Sequence, residues 1–147
     1  MKALLSLLFA TACLAPAAHA ALGDKLSDPV PAGRKVIAAA AANTAGYSVR
    51  TSLDPAGITI REYAAADGTV FAVTWNGSDI PDLSALLGKS RFAEYTRAIG
   101  EGNGNRRRAE VAGPDLVVQS FGRGMTFRGR AWLKSLLPAG VPVDVIQ

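Results

Sequence analysis

Cysteine and histidine are almost absent from this chain. One of each occurs in 147 residues, Cys13 and His19, and both fall within the first twenty. That opening stretch, MKALLSLLFATACLAPAAHA, sets Lys2 ahead of an apolar run from Ala3 to Ala12 and ends in Ala18-His19-Ala20. It has the form of a secretory leader with an A-x-A cleavage site. The run is shorter than the roughly 20 apolar residues a spanning helix needs. Cleavage is expected between Ala20 and Ala21, which leaves a chain with neither cysteine nor histidine. This excludes a disulfide, a thiol nucleophile, a Ser-His-Asp triad and a histidine-ligated zinc. Export would permit disulfides; a chain without them must hold itself together by apolar burial. Carboxylate, lysine, tyrosine and hydroxyl chemistry stay open. Lipidation at Cys13 is disfavoured, because lipoprotein leaders normally carry Leu three places earlier, where Ala10 stands.

Charge of one sign is also scarce. Lys and Arg total 16 against 12 Asp and Glu, a net +4 that becomes +3 when Lys2 leaves with the leader. So mild an excess suits contact with an anionic surface without identifying one. No later apolar run is long enough to anchor the chain in a membrane. No motif asks for a cofactor, a metal or nucleic acid.

What is present is a pattern of turns and alternating runs. Residues 21–46 carry prolines, scattered charge and then VIAAAAANTAG, and read as a loose or partly helical lead-in. Alanine favours helix, but the stretch has no amphipathic stripe, so Val36–Ala42 fits a short helix and a linker about equally. From Tyr47 the pattern changes to strands. YSVRTSL and GITIREYAA flank the turn Asp54-Pro55-Ala56-Gly57, and TVFAVTW follows Asp67-Gly68 in a hairpin.

Two registers of that hairpin are possible. A loop of Asp67-Gly68 alone sets Ile60 opposite Trp75 and Glu62 opposite Val73. A loop of Ala66-Asp67-Gly68, with glycine in a left-handed bulge position, sets Tyr63 opposite Phe71 and Arg61 opposite Val73. Moving by one residue exchanges the faces. The bulged loop is slightly preferred, because it pairs two aromatics and spares a carboxylate from burial.

Beyond Asn76-Gly77, Asp82 stands where an N-cap belongs, ahead of LSALLG. Leu83 and Leu87 share one helical face while Phe92, Tyr95 and Ile99 share another, so Gly88 between them predicts a kink or two short helices. EGNGNRRR reads as an exposed loop. DLVVQSF and MTFRGRAWL form a second hairpin around Gly122-Arg123-Gly124, and the prolines of SLLPAGVPVDVIQ argue against regular structure at the end. The expected fold is α+β, with residues 47–147 as one domain. It is an antiparallel sheet of about five or six strands in two hairpin groups, with the helical element between them packed on the sheet.

These stretches resemble the bacterial exported domain-of-unknown-function family 2844. The resemblance is carried by Arg61-Glu62-Tyr63, DGTVFAVTWNG, PDLSALLG, DLVVQS, GRAWL and LLPAGV, which run in order from Tyr47 to Val141. It implies export and a shared fold, and it brings no activity, cofactor or catalytic residues. In that family a histidine often follows the glycine of the second hairpin turn, where this chain has Gly122-Arg123-Gly124. An activity resting on that histidine would be lost here.

Three groups of residues are candidates for function. Glu62 with Asp79 or Asp82 would suit acid–base chemistry, but a surface ion pair, a turn and a helix cap explain them more simply. Trp75 and Trp132 read as core. Arg106, Arg107 and Arg108 form a charge run, and Arg123, Arg128 and Arg130 extend it, with Arg128 and Arg130 on one strand face by their spacing of two. The turn Gly122-Arg123-Gly124 lacks the lysine and the helix of a phosphate loop. The leading expectation is therefore an exported, non-catalytic domain whose basic surface binds a cell-envelope component or partner protein. Two alternatives stand beside it: a carboxylate-based hydrolase or lyase of envelope polymers, and a structural subunit assembling through a sheet edge.

Overall fold

A computed structural model describes residues 21–26, 30–40, 46–102, 104–105 and 107–147. The expected leader, with Cys13 and Ala20, lies outside the described residues, as does Arg106. Strands β1 (Lys35–Ala40), β2 (Tyr47–Leu53), β3 (Thr59–Ala65) and β4 (Val70–Gly77) come first. Helices α1 (Leu83–Leu87) and α2 (Lys89–Gly100) follow, then β5 (Gly104–Asn105), β6 (Arg108–Ala112), β7 (Leu116–Arg123) and β8 (Thr126–Leu133). All pair antiparallel in one sheet of order β1-β2-β3-β4-β8-β7-β6-β5. Two meanders are thus joined where β4 meets β8, with the helices in the connection between them.

Among the described residues seven strands have five or more residues and β5 has two, against the five or six expected. Both longer additions were hidden by composition. β6, RAEVA, buries only the small Ala109 and Val111 between exposed charges. β1, KVIAAA, is a strand and neither a helix nor a linker, while Ala41 and Ala42 of the expected stretch lie outside the described residues. Its residues are all exposed, so it had no apolar stripe with which to dock as a helix. Backbone pairing to β2 decides instead, overriding alanine's propensity. The first described residues of the lead-in are tied to the sheet and helices. Leu22 is fully buried, its N–H donates to Leu86 O at 2.8 Å, and Gly23 N–H donates to Val70 O at 2.7 Å.

Each face of the sheet is covered by something different. On one, Leu83, Leu86 and Leu87 of α1 pack with Leu22 on Ile60, Val73, Trp75, Val118 and Leu133, while Phe92, Tyr95 and Ile99 of α2 add half-buried apolar surface. Each fully buried leucine contributes about 1.5–3 kcal/mol. Asp82 caps α1, its Oδ1 accepting from Ala85 N–H at 3.1 Å. Gly88 ends α1 and starts α2 with φ of 80° and ψ of 154°, a conformation open in practice only to glycine. The predicted break is therefore two helices. The indole of Trp75 lies against Gly129 of β8, where a Cβ would collide with its ring. Trp75 is 1% exposed, and its N–H meets no acceptor among the described residues.

On the other face, Tyr63, Phe71, Ala72, Val117 and Trp132 are covered by the C-terminal segment, chiefly Val141 and Ile146. That segment contributes two short 3-10 turns, Lys134–Leu136 and Val143–Val145.

The β3–β4 register needs a correction. The loop itself is the three-residue one: Ala65 N–H donates to Thr69 O at 2.9 Å, and Gly68 has φ of 83°. One step further, however, Ala64 pairs Val70 while Tyr63 pairs Ala72, so Phe71 is an extra residue in β4. This bulge returns the hairpin to the register in which Ile60 faces Trp75 and Glu62 faces Val73. The aromatic contact survives, with the Tyr63 and Phe71 rings 6.2 Å apart. Burial of Glu62 is offset across the strand pair by Arg50, a partner the hairpin alone does not reveal.

Candidate functional site

Side chains alternate along each strand, so paired residues of like parity line up in rows across the sheet. On the face shared with the C-terminal segment, one row reads Arg108, Phe121, Arg128, Asn76, Thr59 across β6, β7, β8, β4 and β3. The next reads Glu110, Gln119, Arg130, Thr74, Arg61. Together they floor a groove of about 750 Å³, with Ile146 and Gln147 as one wall.

The inner row is committed to the tail. Gln147 O accepts from Arg61 Nη1 at 2.6 Å, Tyr63 Oη at 2.8 Å and Thr74 Oγ1 at 3.2 Å. Arg130 donates from Nε to Gln119 Oε1 at 2.8 Å and from Nη1 to Ile146 O at 3.3 Å, and its guanidinium lies 5.3 Å from the Trp132 ring centre. Four polar side chains therefore hold the chain's last turn against the sheet.

The outer row is not committed. Among the described residues, the guanidiniums of Arg108 and Arg128 make no hydrogen bond or ion pair. Arg128 lies 5.8 Å from the ring centre of Phe121, which is 42% exposed. Asn76 and Thr59 continue the row with an amide and a hydroxyl.

Of the basic residues singled out in the sequence, the structure brings together Arg108, Arg128 and Arg130. Arg107 and Arg123 are exposed but do not line the groove, and Arg106 lies outside the described residues. Sequence reasoning missed Arg61, Phe121 and Asn76. Their signal was strand parity, which points to the groove only once the β4–β8 and β6–β7 pairings are known.

The candidate carboxylates are not assembled into one site. Glu62 is fully buried on the helix-covered face. Its Oε2 accepts from Arg50 Nε at 2.9 Å and lies 2.8 Å from Arg50 Nη2, while its Oε1 lies 3.4 Å from Arg34 Nη1. Asp79 and Asp82 edge a separate depression of about 500 Å³, beside Phe92, Tyr95 and Ile99, that Glu62 does not line. Asp79 Oδ1 accepts from Ile80 N–H at 2.7 Å. Burial pushes the Tyr95 phenol above its ordinary pKa. Elsewhere, Lys25 holds the Asp67 carboxyl well below its ordinary range, with help from the Thr69 N–H and hydroxyl. No group of three or more His, Cys, Asp or Glu side chains placed to hold a metal is found among the described residues. No described helix is long and apolar enough to cross a membrane.

These features define an α+β domain with a mostly antiparallel sheet, one face closed by helices and the other half closed by the chain's end, next to an arginine-lined groove. The chain belongs to the family described as "Protein of unknown function (DUF2844)", which matches residues 18–146. No curated protein and no solved structure matches it.

Proposed function

We propose that this protein is an exported, non-catalytic binding module that takes an anionic ligand, a cell-envelope component or partner, in the groove of its sheet face. The single observation behind this reading is the outer row. Arg108 and Arg128 flank a half-exposed phenylalanine, and among the described residues neither guanidinium makes a hydrogen bond or ion pair. Desolvated hydrogen bonding to an anion is the strongest interaction such groups can make. Export rests on the leader sequence and its A-x-A site. The carboxylate-based enzyme has less support, since Glu62 faces two guanidiniums in the core and Asp82 caps a helix.

The test is retention of fractionated envelope material by the chain from Ala21 onward, at low and high salt. The parent should hold an anionic component that salt weakens and that Arg108→Ala with Arg128→Ala releases. Equal retention by both proteins, irrespective of salt, would refute the reading. N-terminal sequencing of the exported protein should begin at Ala21.

A second reading is favoured by β1. This strand ends the sheet and has six exposed residues, including Val36 at 38% and Ile37 at 54%. An apolar edge of this kind, unpaired among the described residues, invites a strand from a second copy. Sedimentation should then show self-association that Ile37→Lys abolishes. A parent that stays monomeric at all concentrations would end the edge reading.

A further inference from the structure

We infer that the groove's ligand is an acidic oligosaccharide, one sugar ring seated on Phe121 and its carboxylates held by Arg108 and Arg128. This rests on the groove being the binding site and names what it binds. Three observations point the same way. First comes spacing. Arg108, Phe121 and Arg128 occupy neighbouring strands in one row, so the two arginine backbones stand about 10 Å apart with the ring between them. That suits anionic groups set apart along a chain, as carboxylates are on successive or alternate sugars. Phosphates packed on a polyphosphate would crowd one arginine and leave the ring idle.

The neutral groups come second. Thr59, Asn76 and Gln119 line the groove beside the arginines. Hydroxyls and amides that both donate and accept match a ligand rich in hydroxyls, and such convergent polar groups around an aromatic fix its orientation.

The third observation is Glu110, in the groove one row inward, whose side chain among the described residues is bonded only through one oxygen, to Gln119 Nε2 at 3.2 Å. An acceptor there takes a sugar hydroxyl but repels a dense polyanion. Single-stranded nucleic acid is disfavoured on the same ground, and also because its readers stack successive bases on several aromatics, whereas among the described residues Phe121 is the only ring that lines the groove.

Titration calorimetry on the chain from Ala21 onward, which contains every described residue, tests this. The probes are oligomers of galacturonate, mannuronate and glucuronate, the methyl ester of the galacturonate oligomer, sodium polyphosphate and a single-stranded oligonucleotide. At least one uronate should bind, more weakly as salt rises. Esterification, which keeps shape and removes charge, should weaken galacturonate, if that is the ligand, by about ten-fold or more. Phe121→Ala should weaken the bound uronate by about five-fold or more, and Arg108→Ala with Arg128→Ala should abolish it. All are exposed positions, and unchanged urea midpoints would show that the variants fold. Equal binding of polyphosphate or oligonucleotide with no effect of Phe121→Ala would overturn the saccharide while leaving an anion-binding groove. An ester that binds as well as the acid would overturn the acidic requirement. If no anion binds, both the saccharide and the groove reading fail.

Discussion

Replacing Glu62 with glutamine should be among the most damaging isosteric changes available in this domain. Glu62 is fully buried and Arg50 is 8% exposed, while the Arg34 side chain is 10% exposed. The glutamine fits the same space but removes the charge that balances two guanidiniums. Their desolvation has already occurred on folding, so what is lost is mutual attraction in a poorly screened site. At an effective dielectric of about 20, a pair roughly 4 Å apart is worth around 4 kcal/mol. Measured losses on breaking one side of a buried pair run about 3–5 kcal/mol. Against a total stability of about 5–15 kcal/mol, that is about a fifth or more. Urea unfolding of the chain from Ala21 should show a lower midpoint with an unchanged slope, and heating should show a fall of about 10–20 °C.

Two further variants make the reasoning refutable. Arg34→Ala removes only the longer contact, at 3.4 Å, and should cost less, about 1–2 kcal/mol. Changing both Arg50→Met and Glu62→Leu exchanges the pair for apolar volume and should recover part of the loss. A Glu62→Gln protein within about 0.5 kcal/mol of the parent would refute the account. It would also return Glu62 to the set of carboxylates available for chemistry.

Four other changes probe the fold at separate points. Gly129→Ala drives a Cβ into the Trp75 indole and to 2.7 Å from Gln119 O; it should cost at least about 1–3 kcal/mol in urea melts, and a neutral result would mean the indole lies elsewhere. Asp82→Ala removes the cap on α1 and should cost about 1 kcal/mol, with Asp82→Asn close to the parent. Lys25 and Asp67 are 65% and 62% exposed, so their pair adds little stability, but it sets a pH dependence. Because Asp67's folded pKa is depressed, its contribution is present above the ordinary value of 3.8 and lost as pH falls below it; Asp67→Asn should flatten the acid limb of stability, and parallel limbs would contradict this. Deleting Phe71 should cost no more than Phe71→Ala, about 3–5 kcal/mol, because Val70 and Ala72 already face opposite sides and would then alternate without a bulge. A deletion that fails to fold would refute that.

Local chemistry was readable from the chain and long-range pairing was not. Asp82 and Gly88 act within one turn of themselves, so the helix start and the break were both visible. The Ala66-Asp67-Gly68 loop was visible for the same reason. β1 and β6 were not, because what makes them strands is a partner elsewhere. Alanine and alternating charge carry no signal of that kind. In the groove, Arg128 and Arg130 were found by their spacing within one strand. Arg61 and Phe121 join them only through the sheet order that sets β4 beside β8.

A single extra residue links the core to the groove. Ala64 pairs Val70 of the helix-side core, so alternation along β3 alone sends Glu62 inward to Arg50 and Arg61 outward to Gln147. The bulge acts on β4. Had the loop's register continued past Ala64, Val73 and Trp75 would stand on the groove face, opposite Arg61 and Thr59, and Thr74 would stand opposite Ile60 in the core. The extra residue at Phe71 reverses this. Val73 and Trp75 turn under the helices, and Thr74 and Asn76 line the groove. Arg61 and Thr74 then both hold Gln147, and the tail becomes a wall of the groove. Either arrangement satisfies the β3–β4 hairpin by itself. What separates them is the burial of Val73 and Trp75, which the bulged register allows. The polar floor of the groove therefore follows from packing on the far side of the sheet.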